Sequence, residues 1–306
     1  MIVIAGGTGT LGQRLVPRLV ERGLPVRVFT RDASRARGLA QGDFEVFVGD
    51  VRDRKRVAEA VQNAAAVISA IHGFIGTGGV TPESVDRDGN AHLISAAARN
   101  EAVFMLISAI GTAPDHPWEL ARAKHAAEEN LRQSGVPYTI IRPSAFTETW
   151  GGMMLSSLQT SGRIQVFGRG DNPSNYVSVI DVAALVERVV TDERLGNREI
   201  VIGGPDTLTF NQLATIAQDV AGRRATVRHI PRPVLRAMSH VARPLNPQLA
   251  RQSRGAIVLD TIDMSFDPGP VRREFPDLPE TGVREALQKL LDRQAPTPTH
   301  NRNKAK

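Results

Sequence analysis

A doubly wound α/β fold, a parallel sheet with helices on both faces, is predicted by three features of this 306-residue sequence. Through residues 1–142, short β-rich apolar runs alternate with amphipathic stretches of helical period, the pattern of strands buried on both faces. The first run leads straight into GGTGTLG, Gly6 to Gly12, which opens a helical stretch. Six strands alternating with helices of this length place ligands at the carboxyl ends of the strands.

The strands are expected at IVIA (2–5), PVRVF (25–29), FEVFV (44–48), AAVISAI (65–71), VFMLIS (103–108) and PYTII (137–141). Helices are expected near 10–22, 33–40, 53–62, 83–99 and 117–134. After RPSAF (142–146) the rhythm changes, and GRGDNPSN (168–175) reads as loop. YVSVIDVAALVERVVTD (176–192) returns as a strand followed by a helix, and REIVIGG (198–204) as a further strand. TFNQLATIAQDVAG (209–222) is a helix with Thr209 placed to cap its start and Gly222 to end it. Residues 1–142 plus 176–204 are therefore expected to form a Rossmann-type cofactor-binding domain. Residues 143–175 plus 205–293 form a smaller, discontinuous substrate-binding part or lid, and the proline-broken 294–306 a disordered tail.

Composition excludes several classes of function. With no cysteine there is no disulfide, thiolate metal site or cysteine nucleophile. The seven histidines have no pair at helical metal-site spacing, so no metal is expected. The net charge is +6, but the arginines are scattered and no nucleic-acid module is legible, so no nucleic-acid partner is expected. No apolar run approaches the roughly 20 residues of a membrane span, and the opening run meets glycine after five residues, unlike a secretion signal. A cytoplasmic monomer or homodimer without a membrane partner is the expectation.

GGTGTLG satisfies G-x-G-x-x-G through Gly7, Gly9 and Gly12, and Gly6 supplies a second register. Gly6 and Gly7 permit the tight turn, Gly9 admits the pyrophosphate, and Gly12 lets the helix sit close to the sheet. Thr8, Thr10 and Leu11 complete the cradle, whose helix end offers free N–H groups and a positive dipole to phosphates. Thr30 and Arg31 occupy the tip of the second strand. An arginine there favours the 2′-phosphate of NADP(H) over NAD(H), and Asp32 reads as a cap for the next helix. Asp50 and Val51 fall where the adenine would lie, though a capping role suits Asp50 as well, and Ala70 joins the set from the fourth strand.

GGTGTLGQRLV, VGDVRD, Ser108 at a strand end, HAAEENLRQSGVPYTIIRP (125–143) and YVSVIDVAALV together resemble the atypical short-chain dehydrogenase/reductases, in particular their NmrA-like and isoflavone-reductase-like NAD(P)H-binding group. The resemblance covers roughly residues 1–290 and implies a serine after the fifth strand with a Y-x-x-x-K pair on the next helix. The tyrosine protonates the substrate, and the lysine binds the nicotinamide ribose and lowers the tyrosine's pKa. Ser108 matches the serine and Lys124 the lysine, but Leu120 stands at the tyrosine position. Tyr138 and Tyr176 are the only tyrosines, and four residues beyond them stand Arg142 and Ile180.

Lysine occurs five times against 33 arginines, so its use at 124 suggests a compact ammonium with a defined task. His72 and His125 are candidate replacement acids, although His125 points about 100° away from Lys124 around the helix. Trp118, Phe146 and Trp150 can wall a flat substrate or fill core, and Met153 and Met154 can line a pocket or do the same. The expected activity is NADPH-dependent hydride transfer to a conjugated acceptor, such as a quinone, aromatic ketone or activated C=C, without a tyrosine acid. The resemblance also allows a non-catalytic NADP(H) sensor that binds a protein partner.

Overall fold

The computed structural model describes residues 1–76, 79–192 and 196–294. Of the expected tail, only Gln294 falls within them; 295–306 lie outside the described residues. In chain order the first part comprises β1 (Ile2–Ala5), α1 (Gly12–Glu21), β2 (Val26–Thr30), β3 (Glu45–Val48), α2 (Arg54–Val61), β4 (Ala66–Ser69), α3 (Asp88–Arg99), β5 (Val103–Ile107), α4 (Glu119–Gln133) and β6 (Tyr138–Pro143). Then follow β7 (Ala145–Phe146), α5 (Thr147–Ser161), β8 (Arg163–Phe167), β9 (Ser174–Val177), α6 (Val179–Thr191), β10 (Arg198–Ile202) and β11 (Asp206–Leu208). The chain continues through α7 (Phe210–Val220), β12 (Thr226–Ile230), α8 (Arg232–Val241), α9 (Pro247–Leu259), α10 (Gly269–Glu274) and α11 (Val283–Gln294).

Seven parallel strands form the main sheet in the order β10-β6-β5-β4-β1-β2-β3. The strand order reverses between β1 and β4, and the crevice beyond their carboxyl ends is where such folds bind ligands. Strand periodicity divides the core. Ile2, Ile4, Val28, Ile68, Ile107 and Ile141 bury one face against α1 and α6. Val3, Ala5, Val67, Phe104, Leu106 and Ile140 bury the other against α2, α3 and α4.

Two expected elements take other forms. The helix foreseen at 33–40 is a single 3₁₀ turn, Ala33–Ala36, capped by Asp32, whose carboxylate accepts from the Ser34 N–H at 2.8 Å. The chain then turns through Gly38 at φ +67°. The helix foreseen at 83–99 opens with a π-helical turn, Glu83–Arg87, before α3.

β9, placed with the first part by the sequence, pairs instead with β7 and β11 in a separate three-stranded sheet. The main sheet's edge beside β6 is taken by β10, so β9 finds its backbone partners in β7 and β11. A third core, built on Leu155, Leu158, Tyr176, Phe210, Leu213 and Leu287, lies beneath these short strands and α5, α7 and α11. Thr209 caps α7 with a reciprocal capping box to Gln212, as its position predicts.

Candidate cofactor and active site

The glycine loop joins β1 to α1 at the switch point. Gly6 adopts φ +85°, and a Cβ there would stand 2.5 Å from the carbonyl oxygen of Ala70 at the end of β4. Gly12 has no room for a Cβ either, since one would meet Gly7 backbone at 2.3 Å. Gly9 differs: the nearest protein atom to its Cβ would be Gly6 O at 3.1 Å, so the space beside it is open to a ligand. Thr8 hydrogen-bonds Thr30 across 3.1 Å, tying the loop to the tip of β2. α1 begins at Leu11 with no side-chain cap and no acid in its first turn, and Thr10 is exposed before it. An uncapped helix end beside an open glycine fits a diphosphate.

Arg31 is exposed at the tip of β2. Arg35, which the sequence reading passed over, folds back so that its guanidinium donates to the Thr8 carbonyl at 3.2 Å. Its four-residue spacing from Arg31 was the available signal. Together the two cations can form a fork for a 2′-phosphate. Asp50 accepts from the Arg52 N–H at 2.9 Å and pairs with its guanidinium at 2.8 Å. That hydrogen bond holds its pKa below the ordinary value against its partial burial, with Arg31 contributing. Capping of α2 falls to Asp53, not Asp50. Val51 lies against Gly89 of α3, and its carbonyl meets the His92 ring at 3.0 Å.

Lys124 is buried, with 7% exposure, on α4. Its Nζ donates to the Ile107 carbonyl at 3.0 Å and lies 3.2 Å from Asp86 Oδ1. Asp86, at 0% exposure, also accepts from the Gly73 N–H at 2.7 Å. Burial raises its pKa, opposed first by Lys124 and then by His72. The π-turn delivers this carboxylate, and Asn90 one turn on supports it by donating to the Asp86 carbonyl at 2.6 Å while accepting from Ser69 at 2.5 Å. Asp86 was not singled out in the sequence, although positions 86, 90, 93 and 97 form one helical stripe whose other members are apolar or buried.

His72 stands exposed on the loop after β4, yet the groups around it include Asp86, Lys124 and Arg31. Desolvation by the surrounding protein lowers its pKa, and the two cations add to this against the pull of Asp86. A neutral imidazole next to a buried ion pair can accept and return a proton. Leu120, at the tyrosine position, is half-buried on the first turn of α4, and His125 is half-buried one residue past Lys124.

The Ser108 hydroxyl is turned to Glu128, to which it donates at 2.5 Å, and Arg142 grips the same carboxylate through two bonds of 2.9 and 2.5 Å. Burial of Glu128 raises its pKa, but the hydrogen bonds from Arg142 and Ser108 outweigh this and leave it lowered. The aromatic residues do not form one wall. Trp118 stacks edge-on against Phe74 at 5.2 Å and abuts α9 at Gly255, its indole N–H buried and without a partner. Trp150 packs edge-on against Phe210 at 5.7 Å in the third core. Phe146 ends β7 and packs against the first core. Met154 is buried and Met153 exposed. Among the described residues, no group of three or more metal-ligating side chains is assembled.

A family model described as NAD(P)H-binding matches residues 6–193, more than half of the chain. The protein belongs to this NAD(P)H-binding family. Similar members include an NAD(P)H azoreductase of Xenophilus azovorans, 27% identical over 73% of this chain and 74% of that protein. The photosystem II assembly factor Ycf39 of Trieres chinensis is 27% identical over 78% of this chain and 75% of its own length. In structure, the NADPH-dependent quinone oxidoreductase QOR2 of Escherichia coli, solved with NADPH, superposes with a TM-score of 0.72 at 19% identity. That match covers 95% of this chain and all of the other. The cradle built by Gly6, Gly9 and Gly12 lies inside the family match, as do Lys124 and Asp86.

Proposed function

We propose that this protein is an NADPH-dependent reductase that delivers hydride to a conjugated acceptor, a quinone, aromatic ketone or activated C=C, with no tyrosine acid. The observation that carries this reading is Lys124, kept buried and ion-paired beside His72 although the residue it would activate is Leu120. An ammonium is costly to bury without function or pairing. Here it retains one donor for a ribose hydroxyl after Ile107 and Asp86 have taken theirs.

When bound, NADPH supplies the hydride. The loop from Gly6 to Gly12 holds the phosphates, Arg31 and Arg35 select the 2′-phosphate, and Lys124 orients the nicotinamide ribose, with Thr30, Asp50, Val51 and Ala70 shaping the adenosine side. Catalysis then rests on proximity and orientation. Conjugated acceptors suit the site because the anion left after hydride addition is already delocalised, so water suffices as the proton source, with His72 able to relay the proton. Similarity to an azoreductase supports a conjugated acceptor. The similarity to an assembly factor, together with Leu120, favours the alternative of a cofactor sensor with a protein partner.

The deciding experiment follows NADPH oxidation against a panel of quinones, azo compounds and aromatic ketones. Turnover of any class supports the reductase. No turnover across the panel, with NADP⁺ and NADPH bound unequally, transfers the assignment to the sensor.

A further inference from the structure

Residues 220–259 contain eight arginines, two histidines and no acidic residue. The rest of the chain holds 30 basic against 32 acidic residues, so this one segment accounts for the whole positive balance. It folds as β12 and the hairpin of α8 and α9. Arg232 is bound to Asp260 and Arg224 is paired with Asp219, both acids just outside the segment. Arg223, Arg228, Arg236, Arg243 and Arg254 are exposed.

α8 is amphipathic in an unusual sense. Leu235 and Ser239 face inward and are buried. Val234 and Val241 lie seven residues apart on another side of α8, and Leu245 follows in the turn after it, with Val241 72% and Leu245 89% exposed. Aliphatic side chains so exposed, on the helix and in the turn that ends it, present apolar surface to the surroundings. Arg236 and His240 lie on the opposite, polar side of α8 from Val234 and Val241, and Arg243 follows in the turn after it.

We infer that the α8–α9 hairpin docks this protein on an anionic lipid surface. An acid-free hairpin whose α8 carries exposed aliphatics on one side and arginine and histidine on the other has the composition of a helix lying in a membrane interface, where the headgroups meet the arginines and the acyl boundary covers the aliphatics. A nucleic acid would satisfy the charge but not Val241 and Leu245. The expectation of no membrane partner rested on the lack of a spanning run, and a surface helix needs none. Among the described residues, no helix is long and apolar enough to cross a membrane.

The hairpin is tied through α9 to the segment that follows His72. Gln248 of α9 donates to the Ile75 carbonyl at 3.1 Å and Arg251 to the Val80 carbonyl at 3.2 Å. Both bonds hold backbone carbonyls after His72, and the Ile75 side chain is itself exposed.

The test is flotation of the purified full-length chain with phosphatidylcholine vesicles, alone or mixed with phosphatidylglycerol. Flotation with the anionic vesicles only, weakened by salt, is expected. V241D/L245D abolishes it, and R236Q/R243Q weakens partition about 30-fold, from about 1 kcal/mol per arginine. These side chains are solvent-exposed, so circular dichroism and NADPH affinity remain those of the wild type. Absence of flotation with anionic vesicles overturns the inference, as does wild-type flotation of V241D/L245D. A dimer that V241D/L245D dissociates, without vesicle binding, assigns the face to a second copy of the chain instead.

Discussion

Asp86 and Lys124 form a buried ion pair that links two separate segments, since Asp86 also holds the Gly73 N–H of the His72 loop. Asp86 thus positions both the ammonium and the loop. Asp86→Ala leaves Lys124 buried without its counter-charge, which costs about 3–5 kcal/mol. Urea unfolding should show that loss. Asp86→Asn keeps an acceptor for Gly73, so its NADPH affinity should fall less than that of Asp86→Ala, as read by fluorescence titration.

Glu128 yields a prediction with a defined sign. Its native pKa lies below 4.5, the value in the unfolded chain. Its ionised form is therefore favoured by folding. The stabilisation is complete above pH 4.5 and is lost as the pH falls through the lower native value. Glu128→Gln should cost about 3 kcal/mol at neutral pH by leaving Arg142 poorly paired, and should flatten the acid limb of stability against pH. An unchanged acid limb would remove Glu128 as its source. Ser108→Ala should cost less, about 1 kcal/mol, and leave hydride transfer near wild type, because its hydroxyl is committed to Glu128.

Arg31 and Arg35 test the cofactor preference. NADPH should bind more tightly than NADH, and Arg31→Asp should abolish or reverse the difference. Loss of a charge-assisted hydrogen bond weakens NADPH about tenfold or more in Arg31→Ala. Arg35→Ala should produce a smaller effect, since one of its donors serves the Thr8 carbonyl. NADH affinity should move little in either variant, and equal affinity of the wild type for both cofactors would refute the fork.

The main sheet was legible because its central strands are buried on both faces and bounded by glycine or polar turns, so composition alone marks Ile2–Ala5 or Ala66–Ser69. The second sheet was not, because β7 and β11 have only two and three residues, and pairing such as Phe146 with Val177 is decided by tertiary contact. Within the site, the glycine loop and Lys124 carry local signatures. Asp86 and Glu128 do not: each is a carboxylate in a helix that looks solvated until its partner arrives from elsewhere, Gly73 for one and Arg142 for the other. Ser108 was read from its place at a strand end, which gives its position but not the direction of its hydroxyl.

Gly9 and Gly12 should separate cofactor space from folding. A Cβ at Gly12 would sit 2.3 Å from Gly7 backbone, whereas at Gly9 it would need only a small adjustment of Gly6. Gly12→Ala should therefore lower the melting temperature. Gly9→Ala should melt near wild type and lose NADPH binding by an order of magnitude or more, since its methyl group would occupy the diphosphate's approach. Thermal melts with and without NADPH distinguish the two.

Leu120 and Lys124 test the reading without a tyrosine. Lys124→Ala should weaken cofactor binding and any turnover together, because orientation of the ribose serves both. Retained turnover at unchanged affinity would exclude that role. Leu120→Tyr restores the Y-x-x-x-K spacing but places a phenol where the half-buried leucine now packs. The Lys124 charge it would need is already drawn toward Asp86 at 3.2 Å, so the phenol gains less acidification than the spacing alone suggests. Turnover of a conjugated acceptor by Leu120→Tyr should stay within about an order of magnitude of wild type, well short of the 10²–10⁴-fold a positioned general acid contributes. A gain of that larger size would mean that the proton, and not the hydride, limits the native protein.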